Sequence, residues 1–429
     1  MNNEFDAIIV GGGPAGCAAA YSLAKANLQV LLIERGKFAG AKNMIGGMLF
    51  GKTLDDLIPQ FWEDAPVERY ITRHVTTFLS EGGSLSLDAR SEGFGVPPYN
   101  GFSVLRAKFD KWFAQQAEKA GAIVITNMKV DDLLWDGGRV AGVISGGDKL
   151  PANVVIAADG VNSIIAQKAG LRGELSTEDI NQGVKEVIKL PRETIEDRFN
   201  LSGDEGAAYT FVGISKTPIH AGGFIYSNKD TLSLGVVAQL SALIKNQVKA
   251  PDLLEEFKSH PMVRNLIKDG VVAEYSAHPV PAGGRKMMPR LFSDGIMVVG
   301  DAAGMVLTTG LALEGTNFAM KSGAIAAEVV KKAKEVGNYS AATLRQYETL
   351  LSDGFVLKDL NTFKGSPAFM ENPRIYGVYP EIASRLFERI YASDGTPRKK
   401  IWQMAREEMK GRVSMWQLIK DGIQGIKNA

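Results

Sequence analysis

The stretch that most narrows the fold is "FDAIIVGGGPAGCAAAYSLAKANLQVLLIE", Phe5 to Glu34. A run of apolar β-formers meets the pattern GxGxxG, continues into an alanine-rich helix, and returns through a second apolar strand to an acid. In that setting Gly11 permits the tight turn, Gly13 lets a diphosphate approach the backbone, and Gly16 lets the helix pack close to the strand. The backbone N–H groups at the helix start, after Pro14 and from Ala15 on, face the ligand's negative charge. Glu34, with Arg35 directly after it, stands where a ribose hydroxyl is bound. Asn27 takes the place of the glycine that often follows such a helix, as asparagine tolerates a left-handed conformation. These residues predict an α/β, Rossmann-like dinucleotide-binding unit.

The choice of dinucleotide rests on later segments. "GIMVVGDAAGMV" places Asp301 at the mouth of a strand, suited to a ribityl hydroxyl, with Gly300 and Gly304 allowing close backbone approach to a pyrophosphate. "TTGLALEGTNFAMKSG" follows, in which Gly310 and Gly315 open a helix from Thr316 and Asn317; its first amides would stabilise negative charge on a reduced flavin. Arg106 opens a helix after "GFSVL", in reach of a diphosphate or ribityl chain or, on the rival reading, of a surface salt bridge. Asp159–Gly160 ends the strand beneath the nucleotide, capping a turn or touching the ligand. No second GxGxxG lies between a strand and a helix, so FAD is expected and a separate nicotinamide domain is not.

Composition removes other classes. Lys and Arg number 49 against 48 Asp and Glu, for a net charge of +1, and no basic stripe interleaved with aromatics supports nucleic-acid binding. Cys17 is the single cysteine, which excludes disulfides, a CxxC redox pair and a thiolate-ligated cluster within these residues. It is read as a small packing residue. His74, His220, His260 and His278 lack ligand spacing, so no metal site is expected. No basic leader or apolar run of membrane-spanning length occurs, and a cytoplasmic location follows as the expectation.

Three units are expected. Residues 1–75, 101–170 and 276–335 form a discontinuous FAD-binding domain. Residues 76–100 and 171–275 form an inserted mixed-sheet domain for quinone or other substrate. Residues 336–429 form a mainly helical region. Hairpins are predicted in "HVTTFLSEGGSLSLDA" and at Gly137–Gly138, and helical pieces broken at Pro251 and Pro261.

One segment needs a chemical reason. "GAKNMIGG", Gly40 to Gly47, follows the acid-terminated strand and carries Lys42, Asn43, Gly46 and Gly47 but no thiol. With "GGGPAG", "YSAHPVPAGG", "GDAAGMV" and "TGLALEGTNFAMKSG", it resembles the electron transfer flavoprotein–quinone oxidoreductases. The similarity is to their shorter FixC branch, within the geranylgeranyl-reductase-like FAD proteins, and runs from about residue 4 to beyond 400. The resemblance implies a glutathione-reductase/hydroxybenzoate-hydroxylase-like fold with Lys42, Asn43, Gly46 and Gly47 against the isoalloxazine. Lys42 would favour an anionic reduced flavin, Asn43 would hydrogen-bond a ring edge, and the glycines would let backbone approach the ring.

The resemblance further implies electrons from a two-subunit electron transfer flavoprotein passing to quinone. The long members' C-terminal iron–sulfur domain has no counterpart here, so a separate ferredoxin-like subunit is expected to carry the cluster. FAD is expected to be noncovalent. Ile214–Phe224 and Ile401–Ile423, with Trp402 and Trp416, are the expected surfaces for peripheral attachment to the cytoplasmic face of a membrane. The rival reading is an FAD-dependent reductase of geranylgeranyl double bonds, but residues 40–50 lack the cysteine and the chain lacks the aromatic segment usual in archaeal lipid reductases.

Overall fold

The computed structural model describes residues 5–42, 47–309 and 313–428. Phe5–Val10 is buried along its whole length, as an all-apolar strand must be when both faces of a parallel sheet are covered. It lies between Val30–Ile33 and Asp148–Ala157, both parallel to it, with Ile8 opposite Leu31 on one side and Val155 on the other. Ile123–Ile125 and Ile296–Val298 extend the parallel array outward. Phe292–Ser293 closes one edge, and the hairpin Asp132–Asp136/Arg139–Ser145 pairs with the start of Asp148–Ala157, giving eight strands.

Helix Pro14–Ala24 crosses this sheet beneath helix Thr316–Glu335. The small residues do what their sequence pattern requires: a Cβ on Gly16 would lie 1.9 Å from the Gly11 carbonyl oxygen, and one on Gly323 would lie 2.0 Å from that of Ala15. Gly16 thus packs against the turn before its own helix, while at Gly323 the two helices meet backbone to backbone and residues about three hundred positions apart in the chain become neighbours. Asn27 adopts φ 59°, the left-handed conformation expected after the helix.

A second sheet of nine strands is mixed, as expected. Its order is Val271–Pro281, Ile180–Lys189, Thr231–Gln239, Ala221–Ser227, Glu205–Val212, Val67–Ser80, Gly101–Val104 and Gly47–Phe50, with Gly83–Arg90 paired to Val67–Ser80. All pairs are antiparallel except Glu205–Val212 with Val67–Ser80. Sheet membership departs from the expected segment bounds at 75/76, 100/101 and 275/276. Gly47–Phe50, all of Val67–Ser80, Gly101–Val104 and all of Val271–Pro281 belong to this sheet. Short strands carry no label of their sheet; only the pairing of Gly47 with Val104 and of Ile180 with Pro281 reveals it.

Helices Leu240–Asn246, Ala250–Ser259 and Pro261–Ile267 pack on one face of the sheet, with Phe257 and Leu253 fully buried. The helical pieces break at Pro251 and Pro261, as expected, and each proline sits in the first turn of the next helix, where a residue has no intrahelical N–H partner to lose. The region after residue 335 is helical, from Ala341–Leu344 to Met415–Asn428.

Within the expected surface Ile214–Phe224, the apolar Ile214, Ile219 and Phe224 are buried, and Lys216, Thr217 and Pro218 are exposed. That segment alternates because it enters a strand whose two faces are both covered. Trp402 and Trp416 are 59% and 81% exposed. Among the described residues, no helix is long and apolar enough to cross a membrane.

Arg69 ties the second sheet together. Its side chain is fully buried; Nε donates to the Asn228 carbonyl at 2.7 Å, Nη1 to Gly203 and Glu205, and Nη2 to Lys229 and Glu196. Arg69→Ala should orphan the buried Asn228 carbonyl, remove the part-buried bonds to Gly203, Glu205 and Lys229, and destabilise the protein by roughly 3 kcal/mol or more. Urea unfolding would measure it, and a loss below about 1 kcal/mol would contradict this role.

Candidate functional site

A cavity of about 550 Å³ lies between the two sheets and is walled by both. One wall is the glycine turn and its surroundings: Gly11, Gly13, Pro14, Ala15, Glu34, Arg35, Arg106, Asp159, Asp301, Gly315 and Thr316, all expected site residues, line it. Lys42 and Gly47 line it as well. Asn43 and Gly46, with Gly310, lie outside the described residues. Gly16, Gly300, Gly304 and Asn317 sit behind the lining. Gly300 packs toward Ala15 and donates its N–H to Ser322 Oγ at 2.9 Å. Gly304 donates to the Asp301 carbonyl at 2.9 Å, and Asn317 Nδ2 donates to Glu314 at 2.7 Å.

The residues present fit a dinucleotide carrying a diphosphate. A Cβ built on Gly13 would find no protein atom within 4 Å, so this glycine borders open cavity and is not filling a packing need. The first turn of Pro14–Ala24 points its free amides into that space. Glu34 is fixed by accepting the N–H of Gly12 at 2.9 Å and of Gly36 at 2.5 Å; each carboxylate oxygen keeps a lone pair for a ribose hydroxyl. Asp159 Oδ1 and Asn317 Oδ1 are buried without a partner, the kind of orphan a polar ligand or water relieves.

Arg106 is held by a residue the sequence reading did not single out. Asp110, one helical turn on and completely buried, accepts from Nε at 2.7 Å and Nη2 at 2.8 Å. Such a two-pronged pair fixes the guanidinium plane; the salt bridge is to a buried acid rather than at the surface, and the arginine also lines the cavity. The i, i+4 spacing on a helix with Phe109 and Phe113 was the available signal. Burial raises the Asp301 carboxyl above its usual range and Arg106 draws it back down. Cys17 is buried among alanines, and its thiol, pushed up by burial, faces the Gly12 carbonyl, a packing role as expected.

The opposite wall was not foreseen. Lys185, Phe224, Tyr226, Val237, Ser276 and His278 come from four strands of the nine-stranded sheet. Phe224 and Tyr226 stack at 5.0 Å. Burial lowers Lys185 to about 8 and raises Tyr226 to about 12. His278 is also lowered by burial; its Nδ1 lies 2.5 Å from the Pro279 carbonyl oxygen. The signal that could have found this wall is glycine inside strands, in "QGVKE", "AGGFIY" and "LSLGVV", where close approach is the usual reason. Among the described residues no cluster suits a metal ion.

Asp159 gives a pH test. Burial raises its carboxyl to about 6, offset in part by the Ile165 N–H donated at 3.0 Å. Since the folded chain holds this proton more tightly than the unfolded chain, the associated stability is complete below about pH 4 and is lost as pH rises through about 6. Asp159→Asn should therefore melt higher than the parent at about pH 7.5 in cofactor-free protein, with the gain vanishing near pH 4. Calorimetry showing a gain that does not vary with pH would contradict it.

Comparison with known proteins follows the same lines. The family model "FAD dependent oxidoreductase" matches residues 6–224, and "ETF-QO/FixC family C-terminal domain" matches 366–429. The chain is 44% identical over 424 residues to a probable electron transfer flavoprotein-quinone oxidoreductase, YdiS, of Escherichia coli K12, covering 99% of each. It is 43% identical to Protein FixC of the same strain, covering 98% of each. A geranylgeranyl bacteriochlorophyll reductase-like protein of Thermoplasma acidophilum superposes with a TM-score of 0.73 at 22% identity, covering 98% of this chain and 99% of that one, and shares the fold. The sheet pair, the glycine turn and the matches at both ends agree: the chain belongs to the FixC and electron transfer flavoprotein–quinone oxidoreductase family of FAD-dependent oxidoreductases.

Proposed function

We propose that this protein takes electrons from an electron transfer flavoprotein and passes them toward a membrane quinone through a noncovalently bound FAD. The observation that carries the reading is a single cavity walled on one side by a dinucleotide-binding turn and on the other by an aromatic sheet face. Cofactor and acceptor can thus meet without crossing protein. The names borne by YdiS and FixC relatives support the donor and acceptor.

Bound FAD supplies a ring able to take up and release electrons. The chain's own groups do the rest. Glu34 accepts from the ribose hydroxyls, with Arg35 beside it. Gly11, Gly13 and the backbone N–H groups that follow Pro14 at the helix start, from Ala15 on, hold the diphosphate, with Gly16 keeping the helix close. Arg106, aimed by Asp110, offsets negative charge near Asp301, which accepts from the ribityl chain. Gly300 and Gly304 shape that turn; Asp159 closes the nucleotide side. Gly315, Thr316 and Asn317 present a helix start to the flavin edge. Lys42 and Gly47, which line the cavity, are assigned to the ring's side; Asn43 and Gly46, expected there with them, lie outside the described residues.

A cluster serving this chain lies outside its 429 residues, since Cys17 is the only cysteine and is buried in the first helix. We assign it to a ferredoxin-like partner. Membrane contact is assigned to the last helix, where Trp416, Ile419, Ile423 and Ile426 recur on one face and are all exposed. Such a stripe suits peripheral attachment at the cytoplasmic face.

Two measurements test the reading. Glu34→Gln should weaken FAD binding by roughly tenfold to a hundredfold through loss of a charge-assisted contact, read by fluorescence titration; an unaltered affinity counts against the assigned ribose site. In anaerobic stopped-flow, reduced electron transfer flavoprotein should reduce the FAD rapidly and NADH or NADPH slowly, with quinone reoxidising it in the presence of the iron–sulfur partner. Fast reduction by the nicotinamides with slow reduction by the flavoprotein would overturn the reading. Reoxidation by a geranylgeranyl lipid but not by quinone would install the prenyl-reductase alternative.

A further inference from the structure

Lys185 has no counterpart among the groups used above. It stands on the strand Ile180–Lys189, directly opposite Gly235, which is itself opposite Phe224. Directly paired residues project from the same sheet face, so Lys185 and Phe224 flank a position without a side chain. A Cβ on Gly235 would come within 2.7 Å of Phe224 Cζ and 2.8 Å of Lys185 Cγ. Its absence lets the lysine stem and the ring lean together, with Nζ 5.8 Å from the ring centroid. Ser276 faces Lys185 from the other neighbouring strand.

This cation is unusual in its company. Among the described residues no carboxylate lies within ion-pair distance of Nζ, and the charge it feels most is the positive Arg106. The adjacent Glu186 turns to the opposite face and pairs with Lys258 at 3.0 Å. Burying an ammonium without a counter-charge is costly. Such a group in a cavity wall points to a ligand oxygen. The stacked Phe224–Tyr226 pair beside it suits a flat ring. A prenyl double bond offers nothing for the ammonium to bind; a quinone offers a flat ring with carbonyl oxygens.

We propose that Lys185 is the residue that engages the acceptor, donating an N–H hydrogen bond to a carbonyl oxygen of a quinone headgroup laid against Phe224 and Tyr226. The proposal rests on quinone as the acceptor. The same ammonium then stabilises the negative charge that collects on that oxygen as electrons arrive.

Binding to the oxidised flavoprotein, with no turnover, tests it. Titration calorimetry with a short-tailed ubiquinone and a short-tailed menaquinone would be run on the parent, Lys185→Met and Lys185→Arg, with FAD content and circular dichroism checked for each. Lys185→Met should weaken whichever quinone binds by about tenfold or more, and Lys185→Arg by no more than about threefold. Affinity of the parent should also fall as pH rises from about 7 to 9, because the ammonium is lost through about 8. Of the other groups facing Nζ, Arg106 stays charged, His278 is lowered below its ordinary value and Tyr226 titrates near 12, so none changes in that window. Equal affinity of Lys185→Met and parent, or a parent affinity flat across that range, would overturn the role of Lys185. If the parent binds neither quinone, the acceptor assignment falls with it; if the parent binds and the variant binds equally, only the lysine's role falls. The pH series on the parent decides the matter even where Lys185→Met fails to fold.

Discussion

Helix Pro14–Ala24 and helix Thr316–Glu335 touch at their backbones, and the geometry of the site depends on that contact. A methyl group at Gly323 would collide with the Ala15 carbonyl oxygen at 2.0 Å, a distance no side-chain adjustment relieves. Because the spacing is that tight, Asp301 and Thr316 come to border the same cavity as Gly13 and Glu34. The close approach also explains the residues around it. Ala18, Ala19 and Ala20 are wholly buried, where larger side chains would wedge the helices apart. Cys17 shares that constraint, which is why the chain's one thiol is a packing residue.

Charge is distributed across the cavity in a consistent way. The end of the cavity at the glycine turn holds the acids Glu34, Asp159 and Asp301, with Glu34 accepting two backbone N–H groups. Toward the nine-stranded sheet the fixed charges are positive: Arg106 clamped by Asp110, then Lys185 with no acid of its own. Negative charge arriving on a ligand between the sheets is therefore met by preorganised positive charge in a partly dry space, where such interactions are strongest.

The strand–turn–helix unit and the helix after Gly315 were legible because each is local: glycine spacing, a terminal acid and a change of hydrophobic period lie within one stretch of chain. The mixed character of the second sheet was legible from its short alternating runs. Sheet membership of Gly47–Phe50 and Gly101–Val104 was not, since four residues carry too little pattern to choose a partner. Phe224 shows the same limit from another side. Its neighbourhood alternates like a surface strand, yet it is buried against Gly235 and Tyr226. Lys185 was hidden because a lone lysine in a strand usually means solvent, and only the cross-strand register shows that it faces a cavity. Asp110 was hidden among aromatic neighbours that mark a core face.

The central claim is that the open space at Gly13 is the seat of the FAD diphosphate. Gly13 has φ −77°, a conformation any residue adopts, and an added Cβ would meet no protein atom within 4 Å. Gly13→Thr also keeps a residue suited to cap a helix. The direct measurement is FAD affinity, set beside the melting temperature of cofactor-free protein, for this variant and the parent. The account predicts a melting temperature within about 2 °C of the parent and FAD affinity reduced at least about a hundredfold by steric exclusion. A Gly13→Thr protein that binds one FAD per chain as tightly as the parent would contradict it.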